Sequence, residues 1–462
     1  MTSPNRTRDA TELCVVSGAG PVGCLAALLL SRKENLSILL LEKRPDHRVG
    51  LQPTELRSIN LALSDRGRAA LRAVGLEEEI LKHAVPMRGR AVHLPNGKVA
   101  FQHYDDVEGT KCIYSVSRRT LNDQLLSALE KRKNVRIDFN KRVTSLERPK
   151  TGKGAWVVTN GPERIRAKFV LGCDGSYSSV RDAMSRIVRM DFHRTYIQMG
   201  YMELRIPAGE NGSFRLSLHE ALHIWPREEE NHMMMIALPN IDGSFTATLF
   251  APFETLLQLA ESEAFFSSFM EKHFKECLEY LDGSHGGAHP LFTSTVSPWA
   301  VDGFALLLGD AAHSQVPFFG QGMNAGLEDA HLFVIALERL GFDWEQAVKE
   351  FEPRRRPCGD AITRLSLENY EEMHTHAGSL TFRLRRRFEG LLARLAKGKL
   401  VVPLYYAVAF TSQPYDEVLS AKRRVEKIEG VLKWIVLGSV GLLFTLGIAN
   451  GQVKKTFFFS KS

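Results

Sequence analysis

Three glycines, Gly18, Gly20 and Gly23, stand at G-x-G-x-x-G spacing in VVSGAGPVGCLAALLL, between a strand-like apolar run and a helix-like one. This arrangement can hold a dinucleotide. The first glycine makes a tight turn, the second lets backbone approach a pyrophosphate, and the third lets helix and strand pack closely. The helix N-terminus then offers unpaired N–H groups to the anion. A second strand-like run, SILLLEKR, ends in Glu42, 19 residues beyond Gly23, where an acid can bind a ribose. Two further apolar runs end in acids, at Asp174 in CDG and at Asp310 in GDAAH, and GQGMN (Gly320, Gln321, Gly322, Met323, Asn324) leads into another helix.

The elements between these residues must bring them together. The chain has 462 residues, 44% apolar and 24% charged, enough for two or three units with large cores. After the opening βαβ unit the pattern gives a loop and helix over RSINLALSDRGRAALRAVGL. An amphipathic helix follows over TLNDQLLSALEKR, with Leu121, Leu125 and Leu129 at helical spacing, then strands at VRIDFN and AWVVT. From about Met190 to Thr248 the strands alternate (YMELRIP, HIWP, MMMIALP, FTATLF), the pattern of an antiparallel sheet lying over a ligand. A strand over Phe304 to Leu308 precedes Gly309-Asp310, a helix begins near Asn324, and the remainder is helix-rich, with FEPRRRP as a break. The dinucleotide unit is therefore expected in pieces. Its first part covers 10–185 and its final part 296–342, with an inserted β-sheet domain at 186–295 and a helical region at 343–430.

Sixty Lys and Arg against 53 Asp and Glu give a net charge of +7, but the basic residues are interspersed with acids. The clusters RLRRR and AKRR come late and read as helix surface or membrane-facing charge, so nucleic acid is not the expected partner. Six cysteines without a C-x-x-C pair, and no apolar signal region before the first strand, point to a reducing compartment without disulfides. His285, His289, His374 and His376 lack matched Cys or acidic ligands beside them, so no metal is expected. From Trp434 to Val453 the chain is uncharged and approaches the ~20 residues that span a bilayer. Lys427 and Lys433 precede this run and Lys454 and Lys455 follow it, so a transmembrane anchor is expected over 434–453.

The ordered set of G-x-G-x-x-G, C-D-G and G-D-A-A-H resembles the FAD-dependent aromatic hydroxylases of the p-hydroxybenzoate hydroxylase type. The resemblance implies a discontinuous, Rossmann-like α/β FAD-binding domain with an inserted antiparallel β-sheet substrate domain and a C-terminal helical region. FAD is the implied cofactor and NADPH a transient reductant, in agreement with the lack of a second nucleotide-binding repeat. On the same basis Gly18, Gly20, Gly23 and Glu42 bind the adenosine diphosphate part of FAD, Arg118 in SVSRRTLN contacts the cofactor, and Asp310 holds the ribityl and pyrophosphate portion. Asp174 stands where such enzymes link FAD and NADPH binding. The GQGMN segment would then face the flavin ring, where backbone N–H groups at a helix start stabilise the negative charge of the reduced ring.

Segments such as RSINLALSDRGR, VPMRGR, GYMELRIP, LHIWPR, MMMIALPN and VPFFGQGMNAGLED are similar to the branch of this family that hydroxylates L-kynurenine, over about residues 12 to 430. The apolar tail resembles that branch's anchor, which implies the mitochondrial outer membrane with the catalytic part facing the cytosol. Carried over by motif, Arg90 and Tyr104 grip the amino-acid carboxylate, and Phe318, Asn369, Met373 and Tyr405 surround the rest of the substrate. Arg90 also makes sense chemically, since a guanidinium forks onto a carboxylate, with Arg88 as its rival. The implied reaction uses NADPH and O2 to give 3-hydroxykynurenine through a flavin C4a-hydroperoxide. No side chain is identified as acid or base, because the substrate's own amino group activates its ring. The rival readings are a hydroxylase of another aromatic or quinone-precursor substrate, and a membrane-tethered FAD-binding protein without turnover.

Overall fold

The structure is a computed structural model that describes residues 12–49, 59–94, 96–104, 111–150, 152–227, 233–301, 303–376, 403–428 and 430. Its central sheet has six strands in the order Ala300–Val301, Ala305–Leu307, Phe169–Gly172, Glu12–Ser17, Leu36–Leu41, Val135–Asp138. All pair in parallel except the short outer pair of Ala300–Val301 with Ala305–Leu307. Parallel strands covered on both faces need continuous apolar runs. VVS, ILLL, FVLG and ALL supply them, with Val15, Val16, Leu40, Val170, Leu171 and Leu306 fully buried. The dinucleotide unit is discontinuous, because neighbours in this sheet come from the start, middle and late parts of the chain. The helix Pro21–Leu30 packs against Gly322–Arg339 and Arg118–Glu130, joining three of those parts again.

A seven-stranded sheet lies beside it, in the order His285–Ser297, Asp191–Ile206, Phe245–Pro252, Met233–Pro239, Ala221–Arg227, Gly89–His93, Val99–His103. Five of these strands come from the region expected to form the inserted sheet. The last two come from earlier in the chain, and Gly89–His93 joins by pairing in parallel with Ala221–Arg227. That pairing leaves no local signal in the sequence. The sheet's two faces have different partners, as alternation requires. Met233, Met235 and Ala237 pack with Trp225, Phe245, Phe266 and Phe269 under the helices Phe253–Glu261 and Glu263–His273. Met234, Ile236 and Leu238 face the other way, toward Val316 and Phe318 and the helix Leu404–Phe410.

The expected break at FEPRRRP is absent, since one helix runs from Trp344 to His376 with Pro353 and Pro357 inside it. Side chains pin the flanking turns to the body of the protein. Glu352 accepts from the Trp299 N–H at 2.7 Å, Arg355 grips Asp329, and Arg356 donates to the Ser297 hydroxyl. The helix after GQGMN starts at Gly322, two residues before Asn324. The expected anchor at 434–453 lies outside the described residues, and among the described residues no helix is long and apolar enough to cross a membrane.

Candidate active site

The glycine turn is built as its spacing requires. Gly18 has φ +100°, and a Cβ there would lie 2.5 Å from the Cys173 carbonyl oxygen, while one on Gly23 would lie 1.9 Å from that of Gly18. Gly20 differs, because a Cβ on it would meet nothing within 4 Å. It therefore borders open space at the start of the Pro21–Leu30 helix, a cradle that a side chain would fill. Glu42 is buried at the end of its strand, and its carboxylate accepts from the Ala19 N–H at 2.9 Å and from Arg44 through its N–H and Nε. Burial alone would raise the Glu42 pKa, but the bonds from Arg44 and Ala19 outweigh it and hold the pKa below the ordinary value. Three bonds on a carboxylate leave room for a further donor. Asn122 donates to the Ala19 carbonyl at 3.0 Å and so docks the helix Arg118–Glu130 on the turn, with Arg118 exposed at its first position. Asn122 carries no motif signal.

Asp310 sits exposed in a tight turn, Gly309–Ala311, with Ser176 donating to it at 3.3 Å. Asp174 follows the strand Phe169–Gly172 and turns onto the loop after it. Its carboxylate accepts from the Ser178 hydroxyl, from the Ser179 N–H and hydroxyl, and from the Val180 N–H, capping the helix Ser179–Met184. It shapes the loop that carries Ser176, and four donors already occupy its oxygens. Within GQGMN the polar side chains turn into the protein. Gly320 adopts φ +64° to turn the chain, and Gly322 and Met323 open the helix. The Gln321 and Asn324 side chains are buried: Gln321 accepts from Ser64 and Tyr415, and Asn324 bonds the Ala62 carbonyl and the Ser64 N–H. These two residues fix the loop, leaving the N–H groups of the helix start for a ligand.

The substrate candidates converge on the second sheet. The Arg90 guanidinium lies 4.3 Å from the Tyr405 ring centroid and 5.8 Å from that of Tyr104, and those two rings stack at 5.3 Å. Burial works against the Arg90 charge, but the tyrosine hydroxyls outweigh it and raise its pKa. Its Nε is shut off from solvent without a hydrogen-bond partner, and among the described residues no carboxylate pairs with Arg90. Arg88, the rival, lies near the surface in an ion pair with Glu220 at 2.7 Å. Phe318 stacks on Tyr370 at 5.1 Å, and Asn369 donates to the Phe318 carbonyl at 3.2 Å. Met373 lies on the helix Trp344–His376, but its side chain is outside the described residues. Ile236 packs against both the Tyr104–Tyr405 group and the Phe318–Tyr370 group, so the two sets line one apolar region.

Behind the Gly309–Ala311 turn runs a buried polar chain that the sequence did not reveal. Asp329, fully buried, accepts from the Gly309 N–H at 3.0 Å and from Arg355 Nε at 2.5 Å, and lies 2.6 Å from His313 Nε2. Burial would raise its pKa, but His313 and Arg355 hold the carboxyl far below the usual range. Arg355 also donates to Glu328 at 2.7 Å, and Arg66 donates to the other Glu328 oxygen at 2.8 Å. The histidine of GDAAH and the acids of GLEDA were visible, but their partner lies in the arginine run read as a break.

The FAD binding domain family matches residues 10–366. Kynurenine 3-monooxygenase from Anopheles gambiae is 39% identical over 425 residues, covering 89% of this chain and 85% of that protein. The Myxococcus xanthus enzyme of the same name is 41% identical over 422 residues, covering 87% of each chain. Among solved structures, p-nitrophenol 4-monooxygenase PnpA from Pseudomonas putida superposes with a TM-score of 0.66 at 20% identity, over 84% of this chain and 96% of that one. At that identity the likeness concerns the fold.

Proposed function

The chain belongs to the kynurenine 3-monooxygenase family, within the FAD-binding monooxygenases, and from that membership we propose how its own residues serve the reaction. The enzyme hydroxylates L-kynurenine, with FAD as cofactor, NADPH as reductant and O2 as the oxygen source. Bound FAD supplies the redox chemistry that activates oxygen. The residues present fit that cofactor, because the open space at Gly20 admits a pyrophosphate and Glu42 keeps room for a ribose hydroxyl. Gly18, Gly20 and Gly23 with the Pro21–Leu30 helix start would hold the pyrophosphate, and Arg118 and Asp310 would complete the cofactor contacts. The backbone of Gly320, Gln321, Gly322, Met323 and Asn324 would face the ring, with Asp174 shaping the neighbouring loop.

Arg90 is assigned to the substrate carboxylate, flanked by the Tyr104 and Tyr405 hydroxyls, with Phe318, Asn369 and Met373 around the rest of the molecule. The apolar walls exclude water from the reacting ring. The observation that carries this reading is Arg90 itself: a guanidinium beside two stacked tyrosines, with a buried donor and no carboxylate partner among the described residues. The test is whether L-kynurenine accelerates NADPH oxidation by the purified flavoprotein with formation of the 3-hydroxylated product. NADPH oxidation indifferent to L-kynurenine but stimulated by a simple phenol would overturn it. We further infer that 434–453 anchors the protein in the mitochondrial outer membrane with the catalytic part facing the cytosol. The uncharged run and its flanking lysines support an anchor, and family resemblance supports the membrane and its side.

A further inference from the structure

We propose that Arg66 is a positioning residue for the substrate site: it fixes the short helix that carries Tyr405, and with it the aromatic wall against Arg90. The inference rests on the assignment of Arg90 and Tyr405 to the carboxylate site. The helix Leu404–Phe410 has seven residues, too few to be stable alone, so its placement must come from tertiary contacts. Its last carbonyls have no intrahelical partner and need donors from outside. Thr411 Oγ1 supplies one to Ala407 at 2.6 Å. Arg66 supplies the next, donating from Nε to the Val408 carbonyl at 3.0 Å and from Nη2 to the Gln413 carbonyl at 2.5 Å. A cation at a helix C-terminus is also favoured by the helix dipole.

The third arm keeps the guanidinium from turning. Arg66 Nη1 donates to Glu328, which is also held by Arg355, and the guanidinium lies 4.0 Å from the centroid of the buried Tyr415 ring. The helix that bears Arg66, Asp65–Ala73, is seated on the flavin-side loop. A Cβ on Gly67 would lie 2.4 Å from Asn324 Oδ1, and the Ser64 N–H donates to that same oxygen at 2.9 Å. One rigid base therefore carries both the GQGMN loop and, through Arg66, the helix of Tyr405. Val408 and Tyr405 are three residues apart on one helix, so they share a face. Moving the Val408 carbonyl moves the ring that stands 4.3 Å from Arg90.

The experiment is a flavin-absorbance titration of the holoenzyme with L-kynurenine and with its decarboxylated analogue, for wild type, Arg66→Lys, Arg66→Met, Tyr405→Ala and Arg66→Lys/Tyr405→Ala. FAD content and melting temperature are measured on each, with Arg90→Ala as reference. Lysine keeps the charge, but a single ammonium cannot span three acceptors. Arg66→Lys should retain FAD and bind L-kynurenine about tenfold more weakly, with little change for the analogue. In the Tyr405→Ala background the same substitution should add almost nothing, since its effect runs through that ring. If Arg66→Lys lowers the melting temperature but leaves the preference for L-kynurenine intact, or if the two substitutions are additive, the proposal fails. Should Arg66→Met not fold, Arg66→Lys and its double variant carry the test. Undiminished discrimination in Arg90→Ala would overturn the carboxylate assignment instead.

Discussion

The assignment of Arg90 to the substrate carboxylate rests on its being a cation in the aromatic region with no acid beside it among the described residues. Losing a charge-assisted partner costs about 1.5 to 3 kcal/mol, so Arg90→Ala should retain FAD yet bind L-kynurenine at least ~10-fold more weakly. It should also lose most substrate-stimulated NADPH oxidation and cease to distinguish L-kynurenine from its decarboxylated analogue. Arg90→Lys should recover only part of this, because an ammonium lacks the fork. Spectral titration of both variants decides it, and Arg90→Ala binding that matches wild type would place the carboxylate elsewhere. A second prediction concerns His223, buried in the second sheet 2.8 Å from His93. Burial, then the neighbouring His93, lowers its pKa from 6.5 to about 4. The unfolded chain therefore takes up this proton first as pH falls, and stability declines between pH 6.5 and about 4, with no contribution above that window. At 1.36 kcal/mol per unit the drop is worth roughly 3 kcal/mol. His223→Phe should flatten the melting-temperature profile over that range, and calorimetry showing the wild-type slope would reject the assignment. At this scale the sequence was informative about residue chemistry and poor about direction. Arg90 could be chosen because of its fork, whereas the inward turn of Asp174, Gln321 and Asn324 depends on Ser178, Ser64 and Ala62, which no spacing rule connects to them.

The glycine turn separates folding from cofactor binding. Gly23→Ala would force a Cβ to within 1.9 Å of the Gly18 oxygen and should prevent a stable fold. Gly20→Val directs its branches into open space, so the chain should fold with a melting temperature close to that of the wild-type apoprotein and purify colourless. Asp310→Ala should purify with reduced flavin. Normal flavin absorbance in both Gly20→Val and Asp310→Ala would overturn the cofactor assignments. Elements with their own periodicity were legible, including the strands at VVS and FVLG and the helix with Leu121, Leu125 and Leu129. Two features were not. Gly89–His93 belongs to the second sheet only through a partner more than a hundred residues away, and the prolines at 353 and 357 end no helix because Glu352, Arg355 and Arg356 hold it from the side.

At the scale of the molecule, the candidate cofactor contacts all lie at or before Asn324, far from the apolar tail. Truncation before Gly430 should therefore release the protein from membranes while leaving it yellow. A truncated chain that still sediments with membranes after a high-salt wash would refute the anchor. The discontinuous plan was legible because each of its three strand–turn pieces carries its own motif. The central sheet has a further consequence during synthesis. Glu12–Ser17 pairs on one side with Leu36–Leu41, which leaves the ribosome soon after it, and on the other with Phe169–Gly172, beyond which lies Ala305–Leu307. Until those later strands emerge, the nascent half-sheet carries an open edge, the kind of surface that recruits chaperones or misfolded neighbours. On the assigned contacts FAD would join the pieces only once the chain has passed GQGMN, with 138 of its 462 residues still to be made. The yield of folded enzyme should then follow the FAD supply during synthesis.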